Sequence, residues 1–308
     1  MESVLAFLPK HIADLLKNLP LLLKDSLEEI RIRIARPIEL MIAGESRFLP
    51  YLATQEDSEQ LLNALSQFSL YTLEEELRRG YITIEGGHRV GLAGKVILEN
   101  SCVKAIRDIS SYNIRIARQK IGAAAGLTPY LYSGRWMHTL LIGAPQTGKT
   151  TILRDLARLV STGIETASIP PRKVGIVDER SEIAGCVKGI PQLELGPRVD
   201  ILDGCPKAEG MMMLIRSMSP DILVVDEIGR AEDTEAVLEA ANAGIKLIIT
   251  THGSSLEEIK KRPIIRKILE EKIFERFVEV TRNKVPGYIS KVWNQDGVEL
   301  TGKTGAYA

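Results

Sequence analysis

Residues 143–150 read Gly-Ala-Pro-Gln-Thr-Gly-Lys-Thr and lie directly between an apolar run ending at Ile142 and a stretch of helical spacing over about 149–160. A G-x-x-x-x-G-K-[ST] segment in that position admits few folds. Its two glycines let the main chain wrap tightly, so that successive N–H groups and the helix N-terminus point at one anion. The segment therefore predicts a strand, a close-wrapped loop and a helix in series. Further along, apolar runs at 173–178, 221–226 and 246–251 alternate with helical spacing at about 207–218 and 231–243. Near-continuous apolar strands separated by helices predict a parallel sheet covered on both faces.

The chain before this region has a different texture. Residues 1–26 predict short helices broken at Pro9 and Pro20. Leu5, Leu8, Ile12, Leu15 and Leu16 form one apolar face there, read as packing on its own domain, with a membrane or partner helix as the alternative. From Leu27 the period falls to two. Ile30, Ile32 and Ile34 alternate with Glu29, Arg31 and Arg33, the mark of a half-buried strand, and a second apolar run covers Ile38 to Ile42. Helical spacing returns over Gln55 to Phe68, and Thr72 with Glu75 has the form of a capping box for a helix ending at Gly80. A hairpin turning at Gly86-Gly87 and a strand over Tyr112 to Arg118 complete a small α+β unit. Gly122 to Gly134, rich in Gly, Ala and Pro, reads as a linker. The expected division is an N-terminal α+β domain over 1–125 and an α/β domain over 126–308.

Lys plus Arg is 40 and Asp plus Glu is 40, which argues against a chain whose main role is to coat nucleic acid or an acidic membrane. With 44% hydrophobic and 26% charged residues it has the balance of a folded globular protein. No apolar run approaches the ~18 residues of a transmembrane helix. The N-terminus, with Glu2 and an amphipathic pattern, does not resemble a cleavable signal. Cys102, Cys186 and Cys205 are odd in number and far apart, so they are expected to be reduced, core-filling thiols in a cytosol.

Chemistry concentrates at the strand ends. Gly143, Ala144, Pro145, Gln146, Thr147, Gly148, Lys149, Thr150 and Thr151 form the expected phosphate-binding segment. Lys149 would bring a point charge to the β- and γ-phosphates, and the Thr150 hydroxyl would enter a Mg²⁺ shell, so ATP and Mg²⁺ are the expected cofactors. The run Ile222 to Val225 ends in Asp226-Glu227, as a buried parallel strand would to deliver carboxylates to a ligand-binding edge. Asp226 is expected to hold Mg²⁺ through water and Glu227 to polarise the attacking water. A second acidic strand end follows at Asp178-Glu179-Arg180, with Glu182 beyond, and the last apolar strand ends in Thr250-Thr251-His252. His252 is placed near the γ-phosphate as a sensor or a donor to leaving charge. His11, His88 and His138 read as structural, and Met211 to Met213 as core filling. Arg180, Arg198, Arg216 and Arg230, with Arg107, Arg115 and Arg118, are the candidate cations for phosphoryl transfer.

The order P-loop, acidic strand end, second acidic strand end and His-terminated strand resembles the secretion-ATPase superfamily of type II and type IV secretion and pilus systems. The stretch Gly229 to His252 is similar to the passage between that superfamily's Walker B strand and its His-box. More narrowly, DERSEIAGC (178–186), LDGCPKAEGMMMLIRSMSPDI (202–222) and EIRIRIARPIEL (29–40) resemble the stage III sporulation AA family. The resemblance implies a RecA-like P-loop NTPase core behind a smaller N-terminal α+β domain, assembled as a homohexamer. It implies an ATPase of the mother-cell cytoplasm, peripheral to the membrane, that energises assembly of or transport through the mother cell–forespore channel. Its partners would be copies of itself and the membrane channel proteins of that sporulation secretion complex. It also implies catalytic roles for Lys149, Glu227, His252 in the His-box and Glu179 in the Asp-box. The sequence departs from the superfamily in three places. Asp226-Glu227 stands where many members have Gly-Glu, Ile245 stands where an earlier His-box histidine often lies, and the tetracysteine zinc insert of some pilus motors is absent. These departures leave water activation open between Glu227 and Glu179, and favour a channel role over a pilus motor.

Two other readings have distinct signatures. A nucleic-acid-dependent ATPase would need a basic, aromatic-bearing groove. Aromatics are 5% here, and the best support is the cluster Lys104, Arg107, Arg115, Arg118 and Lys120, so no stable nucleic-acid partner is expected. A nucleotide-gated scaffold with negligible turnover is opposed by the intact Lys149, Asp226 and Glu227.

Overall fold

The computed structural model describes residues 1–66, 76–78, 80–283 and 286–301; the Thr72/Glu75 pair lies outside them. The chain divides into two compact units, Met1–Arg118 with Gly185–Gln192, and Gln119–Ala184 with Leu193–Ala308. The division thus falls at 118/119 where 125/126 was expected, and residues 185–192 go with the first unit.

In the first unit, α1 (Glu2–Phe7), α2 (Lys10–Lys17) and α3 (Leu21–Asp25) are separated by Pro9 and Pro20, each of which caps the next helix. Strands β1 (Leu27–Arg33), β2 (Pro37–Ile42) and β3 (Glu45–Leu52) precede α4 (Gln55–Ser66), followed by β4 (Tyr81–Ile84), β5 (His88–Glu99) and β6 (Cys102–Arg115). They form an antiparallel sheet in the order β3-β2-β1-β6-β5-β4. Alternation puts Ile30, Ile32, Leu40, Val90 and Ile114 on the buried face, against Ile12, Leu16, Leu61 and Leu65 of the helices. The apolar stripe of the first helices is therefore consumed by its own unit. The strand expected at 112–118 is the end of the longer β6, which turns from β5 at Asn100-Ser101, both in the left-handed region. Cys102 sits exposed beside that turn, so the expectation of core thiols fails there, while Cys186 is buried and Cys205 packs partly buried against the core of the second unit. Three members of the basic cluster make local contacts. Lys104 pairs with Glu99 at 2.6 Å, Arg115 lies 3.6 Å from Glu29, and Arg118 donates to the Leu27 carbonyl.

The pair Thr54-x-x-Asp57 opens α4. The Thr54 amide and hydroxyl donate to Asp57 Oδ2 at 2.8 and 3.0 Å, the Asp57 amide returns a bond to Thr54 Oγ1, and the Tyr51 hydroxyl adds a fourth. His11 Nε2 lies 2.7 Å from the other oxygen. Burial pushes the Asp57 carboxyl up, but these hydrogen bonds and His11 outweigh it and hold it below its ordinary value. A carboxylate depressed on folding stabilises above its unfolded pKa and loses that contribution as pH falls through its folded one. Asp57→Asn is therefore expected to cost about 1–3 kcal/mol at pH 7. The penalty should begin to shrink as pH falls through about 4, the unfolded value. It should go on shrinking until pH passes the lower folded value, below which both forms are uncharged. Thermal melts of both proteins from pH 7 to pH 3 check this; a penalty independent of pH would sink it.

The second unit runs α5 (Thr128–Leu131), β7 (Thr139–Gly143), α6 (Lys149–Thr162), β8 (Val174–Asp178), β9 (Val199–Asp203), α7 (Lys207–Ser217), β10 (Ile222–Val225), α8 (Ala231–Asn242), β11 (Lys246–His252), α9 (Leu256–Ile259), α10 (Pro263–Glu270), β12 (Arg276–Arg282) and β13 (Pro286–Asn294). The stretch expected to be a linker is packed instead. Ala124, Leu127 and Leu131 are buried, and the Ala124 amide donates to Asp155 at 2.8 Å. Gly and Pro there shape tight turns around apolar anchors. The sheet order is β13-β12-β7-β11-β10-β8-β9, with every pair parallel except the edge pair β12–β13. β9, β12 and β13 were not expected from sequence. Their runs carry Asp200, Asp203, Arg276, Glu279 and Lys291 and lack the continuous apolar texture of central strands.

Candidate active site

In a parallel sheet all strands deliver their C-terminal residues to one edge, where ligands bind. Strand order decides which of those residues become neighbours. β11 lies between β7 and β10, and β10 lies against β8. His252 is therefore level with Gly143, and Asp226 follows a residue paired with both Ile249 and Val177. The glycine-rich loop, both acidic strand ends and the terminal histidine meet at one edge.

The loop closes tightly around its glycines. A Cβ on Gly143 would lie 2.5 Å from Thr147 Oγ1 and 2.6 Å from the Val280 carbonyl, so β12 presses directly on it. Gly148 caps α6 at φ +93°, and Gln146 also sits in the left-handed region. Lys149, 4% exposed, donates to the Gly143 and Ala144 carbonyls at 2.8 and 3.0 Å and lies 3.3 Å from His252 Nδ1. Burial lowers its pKa, while Asp226 and Glu227 act in the opposite direction.

Thr150 Oγ1 donates to Asp226 Oδ2 at 2.7 Å, and Thr250 Oγ1 donates to Asp226 Oδ1. Burial pushes the Asp226 carboxyl up against those two hydrogen bonds. Glu227 is left-handed at φ +58°, a conformation in which its backbone N–H donates a hydrogen bond to Thr250 Oγ1 at 2.8 Å. Its carboxylate meets His252 Nε2 at 3.0 Å and Arg180 Nη1 at 3.1 Å. The imidazole thus bridges the loop lysine to the strand-end glutamate.

The 178–184 segment forms the opposite wall. Asp178, 2% exposed, accepts the amides of Glu182, Ile183 and Ala184 at 2.8–2.9 Å. Burial nonetheless pushes its carboxyl up to about 6. Glu179 is ion-paired with Lys207 and lies 3.7 Å from Arg230. These acids, with Arg180, Glu182, Lys207, Asp226 and Glu227, line a small cleft. Of the candidate arginines of this unit, Arg180 and Arg230 reach the cluster. Arg198 and Arg216 lie exposed, before β9 and in the last turn of α7. Met211 is core, as expected, but Met213 is half-exposed. Sequence reasoning missed Lys207, whose signal was only a cation opening a helix, and the role of Thr250, whose hydroxyl holds the Asp226 carboxylate and the Glu227 amide.

The sequence profile of the family described as "Sporulation stage III, protein AA" matches residues 1–300. The chain belongs to this family. It is 54% identical over 305 residues to Stage III sporulation protein AA of Bacillus subtilis (strain 168), covering 99% of each protein. It is 31% identical over 174 residues to the uncharacterized protein ycf45 of Cyanidium caldarium, which covers 55% of this chain and 49% of that one. Among solved structures it is similar to the Legionella pneumophila ATPase DotB (TM-score 0.60, 17% identity, 89% of this chain and 76% of that one). It is also similar to the pilus retraction motor PilT with bound ADP (TM-score 0.56, 18% identity, 85% and 78%). At these identities the likeness is one of fold. The family member has a RecA-like P-loop core, the β11 strand inserted between the P-loop strand and the strand ending at Asp226, and a smaller α+β unit before it. Among the described residues no helix is long and apolar enough to cross a membrane.

Proposed function

We propose that this family member is a Mg²⁺-dependent ATPase that works as a homohexameric ring. Its place would be the mother-cell cytoplasm at the membrane, energising assembly of or transport through the channel between mother cell and forespore. The observation that carries the reading is the Lys149–His252–Glu227 chain laid beside the Thr150–Asp226 pair at the mouth of a close-wrapped loop. The structural relatives, an ATPase and a motor with bound ADP, support it. The sporulation setting rests on the Bacillus subtilis relative's name.

The residues present fit ATP and Mg²⁺. The loop has no room for a Cβ at Gly143 or Gly148, as a main-chain phosphate cradle requires. Mg²⁺ takes hard oxygens, usually one or two from protein, which the Thr150 hydroxyl and Asp226 carboxylate supply. When bound, ATP supplies the anhydride to be cleaved and Mg²⁺ neutralises charge on its phosphates. Lys149 would exchange its carbonyl contacts for phosphate oxygens. His252, touching both Lys149 and Glu227, would report phosphate occupancy to the carboxylate. Both glutamates have cationic partners, but Glu227 is the better candidate to orient and deprotonate water, because it directly follows the Thr150-bonded Asp226 and is tied through His252 to Lys149. Glu179 instead pairs with Lys207 and Arg230 farther along the cleft wall. Glu179 then serves to hold those cations beside the cleft.

Phosphate release measured across a protein-concentration series tests the reading. Turnover per subunit should rise with concentration and fall to background on removal of Mg²⁺ by EDTA. Nucleotide binding without Mg²⁺-dependent turnover at any concentration would move the weight to a nucleotide-gated scaffold.

A further inference from the structure

Arg154 lies on α6, one and a half turns beyond Lys149, and is 7% exposed. A guanidinium so placed is costly unless its donors are satisfied. Its Nε donates to the Ile183 carbonyl and its Nη2 to the Glu182 carbonyl, both at 2.6 Å. These carbonyls belong to the same short segment whose amides Asp178 accepts. Residues 182–184 are thus gripped from both sides, by Asp178 at the end of β8 and by Arg154 on the P-loop helix. The turn they anchor carries Glu179, paired with Lys207, and Arg180, paired with Glu227. Charge agrees with the arrangement, since Asp178, Asp226 and Glu182 all favour the Arg154 cation against its burial.

We infer that Arg154 is a positioning residue that couples the phosphate-binding helix to the acidic loop. A movement of α6 at its Lys149 end is transmitted through two short hydrogen bonds to the loop, and so to Arg180 and Glu179 over the Asp226–Glu227 strand end. The inference rests on the ATPase reading of the site, but the coupling itself is a property of nucleotide binding and can be measured without turnover.

The test uses the full chain with Arg154→Met and Arg154→Lys beside wild type. Hydrogen exchange of a peptide covering 179–184 is followed with and without ADP, alongside ADP affinity, kcat and KM. In wild type ADP should slow exchange in this peptide. In Arg154→Met the peptide should exchange about tenfold or more faster and no longer respond to ADP, although ADP still binds within about threefold. Its kcat should fall about 10–100-fold with KM within about threefold, and Arg154→Lys should recover part of the loss. Equal ADP protection of the loop in wild type and Arg154→Met overturns the inference, as does a wild-type loop that ADP leaves unchanged. Loss of ADP affinity, kcat and melting temperature together would mark Arg154 as a fold residue only and overturn it too. Should Arg154→Met not fold, Asp178→Asn releases the same segment from its amide side and is held to the same pattern. A wild type that binds ADP and protects the loop but releases no phosphate refutes the ATPase reading and leaves the coupling standing.

Discussion

Lys149→Ala is expected to lose nucleotide binding and hydrolysis together, whereas Glu227→Gln should keep ADP affinity within about threefold and lose kcat by about 10²–10³-fold. The difference follows from what each side chain touches. Lys149 is buried at the loop with its ammonium on the Gly143 and Ala144 carbonyls, where it can offer charge to phosphates in ground and transition states alike. Removing it takes away binding outright. Glu227 lies beyond the loop, held by its amide on Thr250 and by His252 and Arg180 at its carboxylate. The isosteric amide preserves shape and hydrogen bonding to Arg180 but is no base. A filter or polarisation assay for ADP, run beside phosphate release, separates the two. If Glu227→Gln hydrolyses ATP at the wild-type rate, water activation passes to Glu179, and Glu179→Gln should then carry the loss.

The second large effect is expected at Gly148. Its φ of +93° already disfavours any side chain. A Cβ there would also lie 2.7 Å from the Gly287 nitrogen and 3.0 Å from its Cα. Both are main-chain atoms, and the Gly287 amide donates to the Thr147 carbonyl at 2.7 Å, so neither side can swing away. Gly148→Ala should therefore open the loop, either by unwinding the start of α6 or by pushing β13 off it. A cost of about 3 kcal/mol at this site corresponds to roughly 10²-fold weaker ADP binding. The fold bears at most this cost, so the melting temperature should drop by no more than about 6–12 °C, and by less where the loop opens locally. ADP titration and a thermal melt of the variant decide this, and wild-type affinity would refute the steric argument.

Gly148 also lies at the boundary between local and tertiary information. The loop, the helix behind it and the four apolar strands were legible because each is a local pattern. Glycine spacing, 3.6-residue periodicity and continuous β-branched runs report on elements a few residues long. The acidic ends at Asp178 and Asp226 and the polar end at His252 were legible for the same reason, since a parallel strand has one functional end. The β12–β13 hairpin that backs the loop was not. Its strands carry Arg276, Glu279, Arg282 and Lys291 and resemble surface segments until their position at the sheet edge is known. The Gly122–Gly134 stretch failed in the opposite way, because its Gly and Pro concealed the buried anchors Leu127 and Leu131.

The sequence by itself determined the central elements of the second unit, the kind of sheet and the residues able to do phosphate chemistry. Only the tertiary structure decided which of them meet. His252 stands between Lys149 and Glu227 because β11 is inserted between β7 and β10, an order unrelated to the order along the chain. Glu179 is occupied because Lys207 opens α7 beside it, and the acidic loop is fixed because Arg154 reaches it from α6. Strand order and such side-chain ties are settled by which pairings bury the most apolar surface while leaving no buried polar group unpaired. That is a condition on the whole fold, and no local window of sequence contains it.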